Sequence, residues 1–219
     1  MARGALEGRP RRAVFLVNRR GGTILGEPVH PRLAACPTVP DLVGVCVPGP
    51  AVPGVVDEGL ALGVGAFIVV ATDVPDADGL ARRVRQAGAR LLGPGTLGLV
   101  DTWSRLHLAW ARFRSGPLAI VTQSGQLGTE IANLASDLGV GVSRFWSLGL
   151  QLDVAAPEVL CSLAEDPGTR AVALYLETFT SGPDLLSALL ERREADKPVL
   201  LLTAGDSEAS ARVARSHSG

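Results

Sequence analysis

The chain has 219 residues, a formal charge of −1 and 47% apolar residues, yet only 4% are aromatic. That length holds one large or two small domains with a buried core, and a composition of Val, Leu, Ala and Gly suits parallel strands covered on both faces. The balanced charge gives no electrostatic reason to expect a nucleic-acid or membrane partner. Cys36, Cys46 and Cys161 are scattered, odd in number and lack metal-ligand spacing. They read as reduced thiols of a cytoplasmic protein, with no metal site expected.

Residues 1–12 carry Arg3, Arg9, Arg11 and Arg12 but no apolar segment, so they read as a disordered tail; a secretory signal or membrane span is not expected. Short apolar runs at 13–17 and 42–47 read as strands, the second stopped by Pro48. A helix is expected over 52–62, a strand over 66–70, a basic helix over 79–87 and a strand over 90–92 closed by Gly93-Pro94-Gly95. The stretch 103–114 is less regular, and a domain boundary is placed near Ser115-Gly116.

The rhythm then restarts. Strands are expected at 117–121, 142–148, 171–176 and 198–202, with helices at 126–138, 157–164 and 183–194. Asp153 or the Ala155-Ala156 turn would cap the helix at 157. Alternation of strand and helix argues for parallel sheets with right-handed crossovers, hence an α/β fold.

Ligands of open α/β sheets sit outside the carboxyl ends of the strands. Here those ends present Pro48-Gly49-Pro50, Thr72-Asp73, Gly93-Pro94-Gly95, Thr122-Gln123-Ser124-Gly125 and Glu177. The Gly and Pro clusters either let a backbone approach a ligand or serve as simple turns. The segment TQSGQLG at 122–128 runs from a strand through Ser-Gly into a helix, so free N–H groups and the helix dipole converge as they do in phosphate sites. It lacks the Walker A lysine and the dinucleotide GxGxxG spacing, and Ser124 could equally be a plain helix cap.

Glu177 ends an apolar strand, either as a locally paired acid or as the acceptor that fixes the tautomer of an imidazole. His217 is the candidate imidazole by chain logic, because His30 and His107 fall in the first half as turn and structural residues. Between 207 and 216 the only large apolar residue is Val213, so a packed core helix is not expected there. The segment would lie across the carboxyl edge and bring His217 to Glu177 and Ser124, or be a frayed end.

The runs VCVPGPAVPGVVDEG, RLLGPGTLGLV, LAIVTQSGQLGTEIANLASDLGVGVSRFWSLG, EDPGTRAVALYLE and KPVLLLTAGDSEASARVARSHSG resemble the NDP-forming acyl-CoA synthetases, and the alpha subunit of succinyl-CoA synthetase, from about residue 13 onward. The resemblance implies a Rossmann-like CoA-binding domain over 13–115 and a flavodoxin-like ligase domain over 116–219. It implies conversion of acyl-CoA, phosphate and ADP to acid, CoA and ATP through an acyl phosphate and a phosphohistidine. By motif His217 matches the phosphorylated histidine, Glu177 the acid that orients it, and Ser124, Gly125 and Gln126 the phosphate cradle. Pro48, Gly49, Pro50, Thr72, Gly93 and Pro94 match segments bordering CoA.

The departures shape the expectation. The first strand with its Gly-rich CoA turn is missing, Gly95-Thr96 stands where the family has Asn-Cys, and Leu150-Gln151 where it has Asn and Lys. The rest of the ligase domain and the ATP-grasp domain are also missing, so ATP/ADP and Mg²⁺ would enter only through a partner, and an oligomer is expected. The alternative is a non-catalytic CoA-binding module or a remnant of such a ligase.

Overall fold

A computed structural model of the chain describes residues 1–194 and 196–204, so His217 and the segment around it lie outside the described residues. Three sheets form. The smallest joins β1 (Leu16–Val17), β2 (Thr23–Ile24) and β3 (Glu27–His30) in the order β1-β3-β2. The second is parallel, with β4 (Leu42–Val45), β5 (Ala66–Val69) and β6 (Arg90–Leu92) side by side. The third has six strands.

The crossovers of the parallel sheet are α2 (Val52–Leu62) and α3 (Ala77–Gln86). Helix α2 stops at Gly63, whose φ of +88° is open to glycine, and the N–H of Val64 returns to the Gly59 carbonyl at 2.9 Å. Helix α3 starts where the Asp76 carboxylate accepts the N–H of Gly79 at 3.1 Å. Val45, Val52, Val56, Phe67, Val69, Leu80, Val84 and Leu91 close this layer into a core.

The six-stranded sheet adds β7 (Gly98–Asp101), β8 (Leu106–Ala109), β9 (Ser115–Thr122), β10 (Val142–Ser147), β11 (Ala171–Leu176) and β12 (Val199–Thr203). Their order is β12-β11-β9-β10-β7-β8, with four parallel strands and the β7–β8 hairpin antiparallel at one side. Helices α5 (Ala156–Ala164) and α6 (Gly182–Glu194) cover one face, packing on Ala119, Val121, Val172, Leu174 and Leu176. Helix α4 (Gly125–Asp137) covers the other over Ile120, Val142 and Phe145. Successive residues of β9 and β11 thus alternate between two cores, as a doubly covered parallel sheet requires.

Two expectations are corrected here. The disordered tail over 1–12 is instead headed by a helix, α1 (Ala2–Glu7). Gly4 lies against the His107 ring, where a Cβ would come within 2.8 Å of Cδ2, and Arg11 and Arg12 donate to the carbonyls of Trp103 and Ser104 at 2.9 and 2.6 Å. Those contacts need the β7–β8 hairpin, which the irregular stretch around 103–114 concealed. His30, read as a turn residue, closes β3 and meets the Phe15 ring edge-on.

The parallel sheet docks on the six-stranded unit through β6. Leu91 donates its N–H to the Asp153 carboxylate at 2.7 Å and accepts that of Val154 at 3.1 Å, and Arg90 reaches both Asp153 and Glu158. Ile68 and Leu92 enter the same core as α5. Of the two caps expected for α5, Asp153 is used across the junction and Ala155 is the N-cap; the Gln151 carboxamide accepts the N–H of Ala156 at 3.1 Å.

Candidate functional site

Helix α4 begins directly off the central strand β9. Ser124 is its N-cap, with Oγ accepting the N–H of Leu127 at 3.4 Å, and the Thr122 hydroxyl donates to the Ser124 carbonyl at 2.6 Å. The capping role is thus present, and it consumes one donor only. The N–H groups of Gly125 and Gln126 belong to the first turn and have no acceptor within the helix, so they and the helix dipole face the carboxyl edge. The Gln126 side chain turns away to the Glu130 carboxylate at 3.2 Å, so its share in a cradle is the backbone.

Glu177 follows the last residue of β11, a strand paired in register with β9. Its N–H donates to the carboxamide oxygen of Gln123, the residue before the N-cap of α4, at 3.0 Å. The Tyr175 hydroxyl lies 3.4 Å from a Glu177 carboxylate oxygen. Burial, followed by that negative charge and hydrogen bond, pushes the Tyr175 phenol above its ordinary value.

The segments expected to border CoA end the three strands of the parallel sheet. Pro48, Pro50 and Thr72 are exposed at its rim, while Gly49, Gly93 and Pro94 are buried. A Cβ on Gly49 would collide with Asp73, and Gly93 takes a φ of +93°, where a Cβ would come within 2.5 Å of the Val69 carbonyl oxygen, so glycine is required at both. The Pro94 carbonyl accepts the N–H of Leu150 at 3.0 Å, and the Leu97 side chain occupies the space a Cβ on Gly125 would need. These contacts bring the 93–97 segment against the start of α4 and the turn after β10.

Thr96 departs from an open ligand turn. It is buried, donates to the Ser147 carbonyl and accepts the N–H of Gly98 at 2.8 Å. Gln123, part of the strand-end turn, and Gln151, one of the family departures, are both buried, and the sequence pattern assigns neither a role. Both look like loop polars in the sequence, and only the fold shows that their carboxamide oxygens accept backbone N–H groups. No cluster of His, Cys, Asp and Glu able to hold a metal ion occurs among the described residues.

The parallel sheet β4–β6 with its two crossover helices and the doubly covered six-stranded sheet form two α/β units joined at β6. A CoA-binding domain model matches residues 6–102, and a succinyl-CoA ligase-like flavodoxin domain model matches residues 115–219. The chain is 30% identical to the succinate–CoA ligase [ADP-forming] subunit alpha 2 of Archaeoglobus fulgidus, over 85% of its own length and 67% of the relative's. It is 28% identical to the acetate–CoA ligase [ADP-forming] I subunit alpha of Pyrococcus furiosus, over 94% of its length and 47% of that protein's. The apo dinucleotide-forming acetyl-coenzyme A synthetase 1 of Ca. Korarchaeum cryptofilum superposes with a TM-score of 0.90 at 26% identity, covering 99% of this chain and 50% of that one.

The chain belongs to the ADP-forming acyl-CoA ligase family, with the CoA-binding and flavodoxin-like domains of its alpha subunits. It spans 31% and 47% of the length of two acetate–CoA ligases that it matches over nearly its whole extent.

Proposed function

We propose that this chain is the CoA-binding and phosphohistidine-carrying part of an ADP-forming acyl-CoA ligase, working with an ATP-grasp unit that binds ADP or ATP with Mg²⁺. The observation that supports the reading is the bond from the Glu177 backbone N–H to Gln123, the residue that leads into the α4 N-cap. A phosphoryl group needs a donor-rich pole without bulky side chains, and a phosphohistidine needs an acid to hold the other ring nitrogen.

In the proposed sequence, phosphate attacks the thioester carbonyl, the C–S bond breaks, and CoA leaves as its thiol with an acyl phosphate formed. A nitrogen of His217 then attacks phosphorus, and the P–O bond to the acyl oxygen breaks to release the carboxylate. Glu177 accepts the N–H at the other nitrogen, which keeps the attacking one unprotonated and stabilises the charge that develops. Ser124, Gly125 and Gln126 hold the phosphoryl oxygens through the start of α4, since phosphoryl transfer depends on position and charge more than on covalent help. The phosphohistidine passes its group to ADP on the partner.

The rim fits the amide-bearing arm of CoA better than its phosphates. Exposed Pro48, Pro50 and Thr72 offer apolar and hydroxyl contacts, Gly93 and Pro94 are buried, and none of them is cationic. The chain with a matching ATP-grasp protein, Mg²⁺ and labelled ATP should carry label on His217. An unlabelled chain, or label that survives His217→Asn, would sink the ligase reading. The buried Thr96 favours the second reading, a CoA-binding module without catalysis; that module would bind CoA in a calorimeter yet never take up label.

A further inference from the structure

One side chain ties the carboxyl ends of β9 and β11 together. Gln123 is 7% exposed, and its carboxamide oxygen accepts the N–H groups of both Glu177 and Thr178, at 3.0 and 2.9 Å. Its Nε2 donates to the Thr178 hydroxyl at 2.8 Å, and its own N–H donates to the Tyr175 carbonyl at 3.0 Å. Two N–H donors on the oxygen fix the orientation of the amide. On the far side Gln151, also buried, holds the N–H of Ala156 and directs Nε2 to the Thr178 carbonyl at 3.5 Å.

The backbone at Glu177 has just left the sheet, where ladder partners end. Its N–H and that of Thr178 find their acceptor in the residue that precedes the N-cap of α4, on the neighbouring strand. A single amide group thereby ties the backbone that carries the acid to the turn that leads into α4. We infer that Gln123 is a positioning residue: it holds Glu177 beside the α4 N-terminus so that the carboxylate meets the imidazole of His217. This rests on the phosphohistidine reading above.

Labelling of the whole chain by acetyl [³²P]phosphate tests it without a nucleotide partner, because the acyl phosphate itself donates to the histidine. Gln123→Met keeps length and bulk but removes the acceptor, and should slow single-turnover labelling by about 10- to 100-fold, as an ångström-scale misplacement does. Thr178→Val removes only the Nε2 partner, keeps both backbone bonds, and should lose about threefold. If Gln123 acts through Glu177, the double variant Gln123→Met/Glu177→Gln is no slower than Glu177→Gln alone. A purely structural glutamine would multiply the two losses, and that result, or Gln123→Met labelling at the wild-type rate, overturns the inference.

Amide hydrogen exchange at Glu177 and Thr178 reads the anchor independently of chemistry. Faster exchange at both in Gln123→Met is the expected result, and unchanged exchange overturns the inference whatever the labelling shows. Faster exchange in Gln123→Met beside a wild type that takes no label removes the phosphohistidine reading and, with it, the link from Gln123 to His217.

Discussion

Removing the Asp153 carboxylate should loosen the two units from each other far more than removing its neighbour Glu158. The Asp153 side chain is 3% exposed; it accepts the N–H of Leu91 at 2.7 Å and the Arg90 Nε at 3.1 Å. Asp153→Ala strips a charged acceptor from a buried backbone donor and leaves that donor without a partner, a loss of about 3 kcal/mol. Glu158 makes two 2.6 Å bonds to the same guanidinium, but its side chain is 51% exposed, and water and salt screen the pair. Glu158→Gln should therefore cost under about 1 kcal/mol. For a chain of this size the two correspond to Tm losses of about 6–12 °C and at most about 4 °C. Thermal unfolding at two salt concentrations separates them, since only the Glu158 effect should shrink with salt. An Asp153→Ala variant no less stable than Glu158→Gln would refute the division between buried and exposed acceptors.

Tyr175 is the one tyrosine of the chain, so its absorbance titrates cleanly. Its pKa is raised first by burial and then by Glu177, so Glu177→Gln should bring it back only part of the way toward 10.0. A folded value above the unfolded one means the contribution is intact below pH 10 and is lost as pH climbs through the folded value, so stability falls on the alkaline side. Gly128→Ala would place a Cβ against Thr122 and within 3.0 Å of the Phe145 ring, and should cost about 1–3 kcal/mol by urea unfolding. On β12, Leu200 is 76% exposed, so Leu200→Lys should change stability by less than about 0.5 kcal/mol while reducing concentration-dependent association in sedimentation.

The elements that periodicity reveals are those whose faces are both buried. Helix α2 and strands β6 and β11 occupy the ranges their apolar patterns predict, because continuous apolar runs and a Gly63 stop leave few alternatives. The small β2–β3 pairing and the β7–β8 hairpin were not legible. His107 and Thr102 interrupt the apolar alternation there, and the strands are held by partners far along the chain: β7 by β10, and β8 by α1. Helix α1 has no long apolar stripe of its own and was invisible for the same reason. The strand-end motifs at 122–128 and 177 were readable because the Ser-Gly step into a helix and an acid after an apolar run are local signals.

The glutamines show where local reading stops. Gln123 and Gln151 have the composition of loop residues, and nothing within several positions of either tells which backbone groups they will satisfy. Their partners are fixed by strand order. Because β11 returns to the far side of β9, Glu177 arrives beside residue 123, and because β10 feeds α5 under that same edge, Gln151 arrives beside Thr178. A buried amide at such a crossing must find several partners or cost stability, so its presence marks a place where backbone from two connections has to be held at a fixed spacing. The same crossing joins the α4 N-terminus to the acid. In the proposed reaction, this half of the fold contributes control of that spacing together with the Glu177 carboxylate it holds.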